Sequence, residues 1–373
     1  MAAHFISSPI YGAVGYPGNH PLSIQRIGTV EKLCALLGWT GNHAPVLRSP
    51  VADDALLSRF HAPEYISALR DSEGARSVTE AARERHNIGT LENPVFPGLF
   101  NRAATSVGGS YLAGELAAKG ALAYHPAGGT HHGLRDRANG FCFFNDPVFA
   151  ILALLDAGLE RVLYADLDAH HGDGVEVAFA DDPRVMTISV HEEDRWPFTG
   201  LVSDRAGGNA RNLPVPREMN DTEFDLLMAE AVLPAAQGFS PQAVVVTTGA
   251  DALKGDPLSS LALSNTCLWD AVEALVALAP RAVVLGGGGY NPWTLARAWS
   301  GLWARLSGQS IPDELPAEAR DLLKTLECDL VDDEDEQDPA WFTTIADRRN
   351  DGPIRERFRD IARAVRGTAP ADG

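Results

Sequence analysis

Three carboxylates and two imidazoles lie within nine residues of this sequence, which reads Asp-Leu-Asp-Ala-His-His-Gly-Asp-Gly over 166–174. A short apolar run, 162–165, comes directly before them. Burying so many ionisable groups is costly unless they are paired or bind a cation. Alternate side chains of an extended segment share a face, so Asp168 and His170 can point at one ion, with Asp166 behind them. The segment therefore favours a metal site over a solvated polar loop.

A third ligand must come from elsewhere in the chain, and Asp251 is the best candidate because it follows the very apolar run 243–246. A lone aspartate is more often the N-cap of a helix. Three protein ligands with one open position are typical of a catalytic ion. Two carboxylates and one imidazole suit Zn²⁺, although Fe²⁺, Mn²⁺ or Co²⁺ could occupy the same site.

A second pair of adjacent histidines, His131 and His132, follows the glycine-rich turn 126–130. Histidine supplies a group with a pKa near neutrality, as general acid–base catalysis requires. Such a histidine needs a carboxylate to orient it. Asp166 and Asp173 are the carboxylates available for that role.

Tyr290 directly follows four consecutive glycines at 286–289. The pattern lacks the Lys-Ser/Thr that follows a phosphate-binding loop, so it does not favour nucleotide binding. A phenol beside a metal could donate a hydrogen bond to a developing oxyanion. The alternative is that the segment is a plain tight turn.

The elements that must position these residues are short apolar runs, which lie at 121–124, 162–165, 185–190, 243–248 and 282–285. Amphipathic stretches at 221–237 and 265–278 lie between them. Continuous apolar strands alternating with helices predict a mostly parallel sheet covered on both faces. Ligands of such sheets bind outside the carboxyl ends of the strands, where the polar residues of this chain fall.

We predict a single-domain α/β fold, a three-layer α/β/α sandwich with a mostly parallel central sheet. Residues 1–310 form the predicted catalytic domain. Residues 311–373 form a C-terminal extension with an acidic run at 329–338 and a basic helical pattern at 354–365, packed on the same domain. A charge run is usually a solvated face, so we assign this extension no chemistry.

The composition limits the partners that we expect. The formal net charge is −19, which disfavours binding to nucleic acid and could attract cationic substrates, although it also simply promotes solubility. Four cysteines without a CxxC spacing indicate reduced thiols in a cytoplasmic protein. We see no signal peptide and no apolar stretch long enough for a membrane span, so we expect no membrane partner. The oligomeric state is left open.

Together these segments resemble the zinc-dependent histone deacetylase family, which has the arginase/deacetylase fold. The resemblance extends over about 8–301 and is carried by 131–132, 140–142, 168–174, 249–251 and 286–290. Segments 20–26 and 93–98 resemble the class I-like bacterial branch that includes acetoin-utilisation-type deacetylases. Arginases have further Asp ligands for two Mn²⁺ ions, whereas this chain looks like a one-metal version.

The resemblance implies a role for each catalytic candidate. His132, oriented by Asp173, would be the general base and then the general acid. His131, paired with Asp166, would be its electrostatic partner, and Tyr290 would polarise the acyl carbonyl.

The resemblance also implies two ion sites. The zinc ligands would be Asp168, His170 and Asp251. A structural K⁺ site would be formed by Asp166, Asp168, His170, Ser189 and Val190.

A substrate channel is implied as well, with candidate residues Arg26, Glu92, Gly140, Phe141, Trp196 and Leu258. Phe141 and Trp196 would wall it, Leu258 would line its rim, and Arg26 would lie below the metal. Trp196 stands where the family usually has Phe, and Glu92 where it has Asp. We therefore expect a narrow mouth with a negative charge over it, which favours slender cationic acyl-amines.

The predicted function is that of a metal-dependent deacylase acting on an acyl-lysine or another acylated amine. Acetylpolyamines or other small acylated amines are the alternative substrates. An arginase-like dinuclear ureohydrolase and a non-enzymatic acyl-amine binder are less favoured.

Overall fold

The computed structural model describes residues 2–41, 45–331 and 337–367. Within them, eight strands form one sheet in the order β2-β1-β3-β8-β7-β4-β5-β6, and each neighbouring pair is parallel. The strands are β1 (Ala3–Ser7), β2 (Leu47–Arg48), β3 (Leu122–His125), β4 (Val162–Asp166), β5 (Val185–Glu192), β6 (Ala210–Val215), β7 (Ala243–Thr247) and β8 (Ala282–Leu285).

Helices cover both faces of this sheet. They are α1 (Ile10–Ala13), α2 (Ile27–Leu36), α3 (Asp54–Leu57), α4 (Pro63–Ala75), α5 (Glu80–His86), α6 (Leu99–Ala118), α7 (Asp146–Asp156), α8 (Asp173–Ala178), α9 (Asp221–Leu227), α10 (Leu233–Phe239), α11 (Asn265–Val276), α12 (Pro292–Leu306), α13 (Ala317–Lys324), α14 (Ala340–Thr343) and α15 (Glu356–Arg366). A π-helical segment, Met228–Val232, joins α9 to α10.

The central strands are buried on both sides, and alternate residues face opposite layers. Val244 of β7 belongs to a core shared with Trp299 of α12, whereas Val245 belongs to a core shared with Ile151 of α7. Strands buried on both faces need continuous apolar runs, and this is why the sequence reveals them. The predicted α/β fold with a mostly parallel sheet between helical layers is confirmed.

Three strands were not predicted, and all three lie at or near the ends of the sheet. β2 has only two residues, which is too short for any pattern. β6 contains Arg211 and Asn212, so it lacks a continuous apolar run. Edge positions tolerate such breaks because the packing there is less demanding.

The C-terminal segment packs against the rest of the chain. Phe358 and Ile361 of α15 are buried in the same core as Phe224 of α9. The predicted acidic run 329–338 lies partly outside the described residues, which omit 332–336. Over the described ranges, no helix combines the length and apolar character needed to cross a membrane.

Candidate active site

The carboxyl ends of β4 and β7 bring together the three predicted metal ligands. Asp168 and His170 lie in the loop after β4, and Asp251 lies in a 3₁₀ turn after β7. Each of them offers a ligand atom within 4.8 Å of the other two. The His170 Nδ1 atom lies 3.0 Å from Asp251 Oδ2 and 3.2 Å from Asp168 Oδ1.

The surroundings of these three side chains fit a divalent cation. Both carboxylates are fully buried, and a Cβ at Gly249 or Gly288 would collide with their oxygen atoms. Burial raises the pKa of Asp251, and the adjacent charge of Asp168 raises it further. A bound cation would offset that repulsion, since carboxylates bind metals in the deprotonated form. Two carboxylates and one imidazole are a donor set that Zn²⁺ accepts.

Each of the tandem histidines is hydrogen-bonded to its own carboxylate. The His131 Nδ1 atom lies 2.7 Å from Asp166 Oδ2, and the His132 Nδ1 atom lies 2.7 Å from Asp173 Oδ1. Burial lowers the pKa of His131, but the carboxylates of Asp166 and Asp168 outweigh it and raise the pKa to about 9. Burial, with the neighbouring charge of His131, lowers the pKa of His132 to about 4. At neutral pH the pair thus combines an imidazolium with a neutral imidazole.

Tyr290 is buried at the end of the glycine segment that follows β8. Burial raises the pKa of its hydroxyl well above the usual range, and the charges of Asp251 and Asp168 add to that effect. The phenol therefore stays protonated and remains a hydrogen-bond donor.

A cavity of about 1320 Å³ leads from the surface to His132, His170 and Tyr290. Its lining includes most of the predicted channel residues, namely Glu92, Gly140, Phe141, Trp196 and Leu258. The Trp196 ring packs edge-on against the imidazole of His132, with ring centroids 4.6 Å apart.

Glu92 differs from the expectation of a negative charge extended over the mouth. Its Oε1 atom accepts a hydrogen bond of 3.1 Å from the backbone N–H of Gly140. Its Oε2 atom accepts from the side-chain amides of Asn87 and Asn93, at 3.0 and 3.1 Å. The carboxylate therefore braces the wall of the cavity, because three amide donors of the protein turn it inward.

Comparisons with known proteins agree with this geometry. The family model described as histone deacetylase domain matches residues 20–306. Acetoin utilization protein AcuC of Bacillus subtilis (strain 168) is 33% identical, over 84% of this chain and 84% of the relative. Histone deacetylase 19 of Arabidopsis thaliana is 36% identical, over 84% of this chain but 63% of the relative. The crystal structure of an HDAC homolog from Aquifex aeolicus has a TM-score of 0.92 at 34% identity, covering 98% of this chain and 100% of that chain.

The chain belongs to the histone deacetylase family. An HDAC homolog complexed with SAHA has a TM-score of 0.93, also at 34% identity and the same coverage. Membership of this family confirms the predicted class of metal-dependent deacylase and the predicted acetoin-utilisation-type branch.

Asp146 and Asn145 position the tandem histidines of this family member, and sequence reasoning missed both. The buried Asp146 carboxylate accepts hydrogen bonds from the backbone N–H groups of Gly129 and Thr130, at 3.0 and 2.8 Å. The Asn145 side-chain amide donates to the His131 carbonyl at 3.1 Å. The available signal was the sequence Asn-Asp-Pro at 145–147, which is typical of a helix N-terminus.

Arg26 lies beneath the candidate metal site of the chain. It lines a second cavity, of about 70 Å³, together with Asp168 and His170. Its Nη2 atom donates to the Gly287 carbonyl at 2.5 Å, and its guanidinium stacks 5.1 Å from the Trp299 ring. Burial lowers the pKa of Arg26.

The residues predicted to bind K⁺ lie around the carboxyl end of β4 and on the neighbouring strand β5. Asp166 of β4 is the direct neighbour of Ser189 of β5, and Val190 follows Ser189 on that strand. The Asp166 Oδ1 atom accepts a hydrogen bond of 3.1 Å from the backbone N–H of Asp168. Asp166 therefore lies beside Ser189 across the strand pair and is bonded to the backbone of Asp168.

Proposed function

We propose that this chain hydrolyses the amide bond of an acylated lysine or another acylated amine, releasing a carboxylate and a free amine. One observation carries the proposal: a single cavity is lined by His132, which is bonded to Asp173, by the protonated phenol of Tyr290 and by His170 of the candidate metal-ligand set.

Asp168, His170 and Asp251 would hold one divalent ion, with Zn²⁺ favoured and Fe²⁺, Mn²⁺ or Co²⁺ as alternatives. When bound, such an ion would supply Lewis acidity that polarises the acyl carbonyl and lowers the pKa of a water molecule.

His132 would move the proton of the reaction. Its Nδ1 atom is engaged with Asp173, so Nε2 is the atom left to act as a base. A pKa lowered to about 4 by burial and the adjacent His131 keeps this imidazole neutral before the reaction. His132 would remove a proton from the attacking water and then deliver it to the leaving amine nitrogen, so that no net proton is gained or lost.

His131 and Tyr290 would stabilise negative charge that develops on the acyl oxygen. The imidazolium of His131 is held by Asp166, so its position is fixed before the substrate binds. Tyr290 would donate its hydroxyl proton in a hydrogen bond to the oxyanion. Preorganised donors of this kind commonly contribute about 10²- to 10³-fold in kcat.

The substrate would enter between Phe141 and Trp196, with Leu258 at the rim and the Gly140 carbonyl available to accept a hydrogen bond. We assign Glu92 the role of holding Gly140 in place, since its carboxylate bonds that backbone N–H. Arg26 would complete the pocket beneath the ion.

The lining of the cavity favours a substrate with a cationic far end. It includes five carboxylate and three guanidinium side chains, from Glu92, Glu192, Glu193, Asp194, Glu218, Arg195, Arg217 and Arg355. An excess of carboxylates raises the local concentration of cations, an effect that weakens with salt. A lysine-rich segment and a small acylated polyamine both meet this requirement.

Further features of the assignment are predictions of the same kind. We propose that Asp166, Asp168, His170, Ser189 and Val190 hold a structural K⁺ ion. We also propose a cytoplasmic location, no nucleic-acid or membrane partner, and a catalytic domain over 1–310 on which the extension 311–373 packs.

The test is an assay of the purified protein on an acetyl-lysine peptide, an acetylated diamine and arginine. Release of acetate from either acetylated substrate, abolished in Asp251→Ala, is the expected result. Urea release from arginine, or no turnover of any acylated amine, would contradict the proposal. Comparing Trp196→Phe with the wild type on the two acetylated substrates would show whether the ring selects between them, because a larger channel should favour the peptide.

A further inference from the structure

A buried carboxylate outside the predicted site, that of Asp256, is bonded to the backbone of Tyr290. Asp256 is 6% exposed and lies in the loop after β7, five residues beyond Asp251. Its Oδ2 atom accepts a hydrogen bond of 2.7 Å from the backbone N–H of Tyr290. Its Oδ1 atom accepts one of 2.9 Å from the backbone N–H of Leu258. The Asp256 side chain therefore connects the backbone of Tyr290 to the backbone of Leu258 at the rim of the cavity.

A second hydrogen bond beside the first links the same two loops. The Asn291 side-chain amide donates to the Gly255 carbonyl at 2.9 Å. The Asn291 Oδ1 atom also caps α12 by accepting from the backbone N–H of Trp293, at 3.1 Å. The chain is therefore fixed on the C-terminal side of Tyr290 by Asn291 and at Tyr290 itself by Asp256. The glycines on its N-terminal side impose little restriction of their own.

The chemistry at position 256 requires two acceptors. An ionised carboxylate can accept at both oxygens, whereas an asparagine of the same shape would direct an NH₂ group at one of the two backbone N–H donors. Burying a carboxylate is costly unless its oxygens are hydrogen-bonded, and at position 256 both are, to the backbone N–H groups of Tyr290 and Leu258. The carboxylate holds the backbone of Tyr290. The hydroxyl of that residue must be placed to within a few tenths of an ångström to donate a hydrogen bond to an oxyanion.

We propose that Asp256 is a positioning residue for the deacylase reaction, one that acts through the backbone of Tyr290 to hold its hydroxyl at the acyl oxygen. This role rests on the proposed function. It predicts that Asp256→Asn lowers kcat by about 10- to 100-fold, in the range that small misplacements of a catalytic group cause. The metal content should stay at the wild-type level, because the three ligands are untouched.

A double-mutant cycle separates positioning from a general structural effect. The kcat values of the wild type, Asp256→Asn, Tyr290→Phe and the double variant are compared on one acetylated substrate. If Asp256 acts through the hydroxyl of Tyr290, the double variant should be only about as slow as Tyr290→Phe, because the second change has nothing left to misplace. If the kcat losses of the two single variants multiply in the double variant, Asp256 does not act through the Tyr290 hydroxyl. A kcat of Asp256→Asn within about twofold of the wild type would also overturn the role.

Asp221 provides a matched control. It is also buried and accepts two backbone N–H bonds, from Ser264 and Asn350, both at 2.8 Å, but it does not bond the Tyr290 loop. Asp221→Asn should lower the unfolding temperature without the selective loss of kcat. An equal loss of kcat in Asp221→Asn would show that any buried aspartate has this effect, against the proposal.

Hydrogen–deuterium exchange supplies a readout that does not need activity. The peptide containing Tyr290 should exchange slowly in the wild type and faster in Asp256→Asn, but not in Asp221→Asn. Unchanged exchange in Asp256→Asn would contradict the positioning. If Asp256→Asn does not fold, Asp256→Glu replaces it in the cycle, with the same non-multiplying result expected. If the wild type turns over no acylated amine, the proposed function and this role are both overturned. If the wild type is active but the kcat losses of the two single variants multiply in the double variant, only the role of Asp256 is overturned.

Discussion

The imidazole of His132 donates its Nδ1–H to the Asp173 carboxylate, 2.7 Å away, while the adjacent His131 donates in the same way to Asp166. The two rings are close, with centroids 3.9 Å apart, yet their pKa values shift in opposite directions. Since two neighbouring imidazolium ions repel each other, the histidine with more carboxylate neighbours keeps the proton. The geometry therefore separates a cation from a neutral base.

His132→Ala should be more damaging than His131→Ala. Loss of a general base costs about 10²- to 10⁴-fold in kcat, and we expect His132→Ala to lie in that range. His131→Ala should cost less, because it removes charge stabilisation but leaves the proton carrier. Steady-state kinetics of both variants on one acetylated peptide decide the order. A larger loss of kcat in His131→Ala would reverse the two assignments.

The wild-type protein should hold about one tightly bound divalent ion per chain. Asp168→Ala and Asp251→Ala should each lose this ion, because the two remaining protein ligands would bind it too weakly to retain it during dialysis. Elemental analysis of the dialysed proteins measures this. Asp270→Ala, at an exposed aspartate paired with Arg305, is the control and should keep the ion. Full metal retention in both ligand variants would place the site elsewhere.

Tyr290→Phe should lower kcat by about 10²- to 10³-fold, the usual cost of losing one oxyanion donor. The unfolding temperature should change little, since only a hydroxyl is removed and the buried ring stays. Turnover at nearly the wild-type rate would mean that Tyr290 is only a turn residue. Thermal unfolding of the same preparation controls for damage to the fold.

The sequence predicted the parts of the site whose chemistry is concentrated in short segments. Asp166 ends strand β4, whose other residues form an apolar run, and Asp168 and His170 follow it, so both the run and the polar cluster are visible without a structure. Asp251 could be added because it follows another such strand. The parallel sheet then explains why these strand ends meet at one edge.

The role of the positioning residues could not be predicted, because nothing in the local sequence marks the distant groups that they bond. Asp146 bonds a backbone N–H group 16 residues away, at Thr130, and Asp256 bonds one 34 residues away, at Tyr290. Asp146 is the first residue of α7 and Asp256 lies in the loop after β7, and only the fold brings each of them to its partner. The inward turn of Glu92 has the same origin, since its donors come from three separate positions.

His125 should make the fold sensitive to acid. It is buried, its Nδ1 atom lies 2.9 Å from Ser110 Oγ, and burial lowers its pKa to about 3. An unfolded histidine has a pKa of about 6.5, so below that pH the unfolded chain binds a proton that the folded chain does not. The contribution of His125 to the free energy of unfolding is fully present above about pH 6.5. It is lost as the pH falls towards 3, by up to about 1.4 kcal/mol per pH unit.

In His125→Gln, the free energy of unfolding should therefore fall less steeply than in the wild type between about pH 6 and pH 4. Urea denaturation at several pH values measures both slopes. Ser110→Ala, which removes the hydroxyl but keeps the imidazole, should be less stable at every pH while retaining the wild-type slope. Parallel curves for His125→Gln and the wild type would show that this histidine does not contribute.

The C-terminal extension, for which we predicted no chemistry, reaches the mouth of the cavity through Arg355. This guanidinium bonds the buried carboxylate of Glu223, with Nε at 2.6 Å from Oε1, and donates to the carbonyls of Arg217 and Glu218 at 2.9 and 3.2 Å. Arg217 and Glu218 line the cavity, and Glu218 has a positive φ of 58°. A residue other than glycine keeps that backbone conformation only where its surroundings hold it.

Arg355→Gln should release this segment of the mouth and raise KM several-fold for an acetylated peptide, while kcat changes little because the reacting groups at the base of the cavity are untouched. Arg363→Gln is the matched control, since Arg363 lies on α15, which begins directly after Arg355, and within the described part of the chain its ion pairs are with Glu356 and Asp360 on the surface. Steady-state kinetics at fixed ionic strength separate the two variants. A KM for Arg355→Gln equal to that of Arg363→Gln would mean that the extension merely covers the core. If kcat of Arg355→Gln also falls, the segment around Arg217 and Glu218 would instead influence the reacting groups themselves.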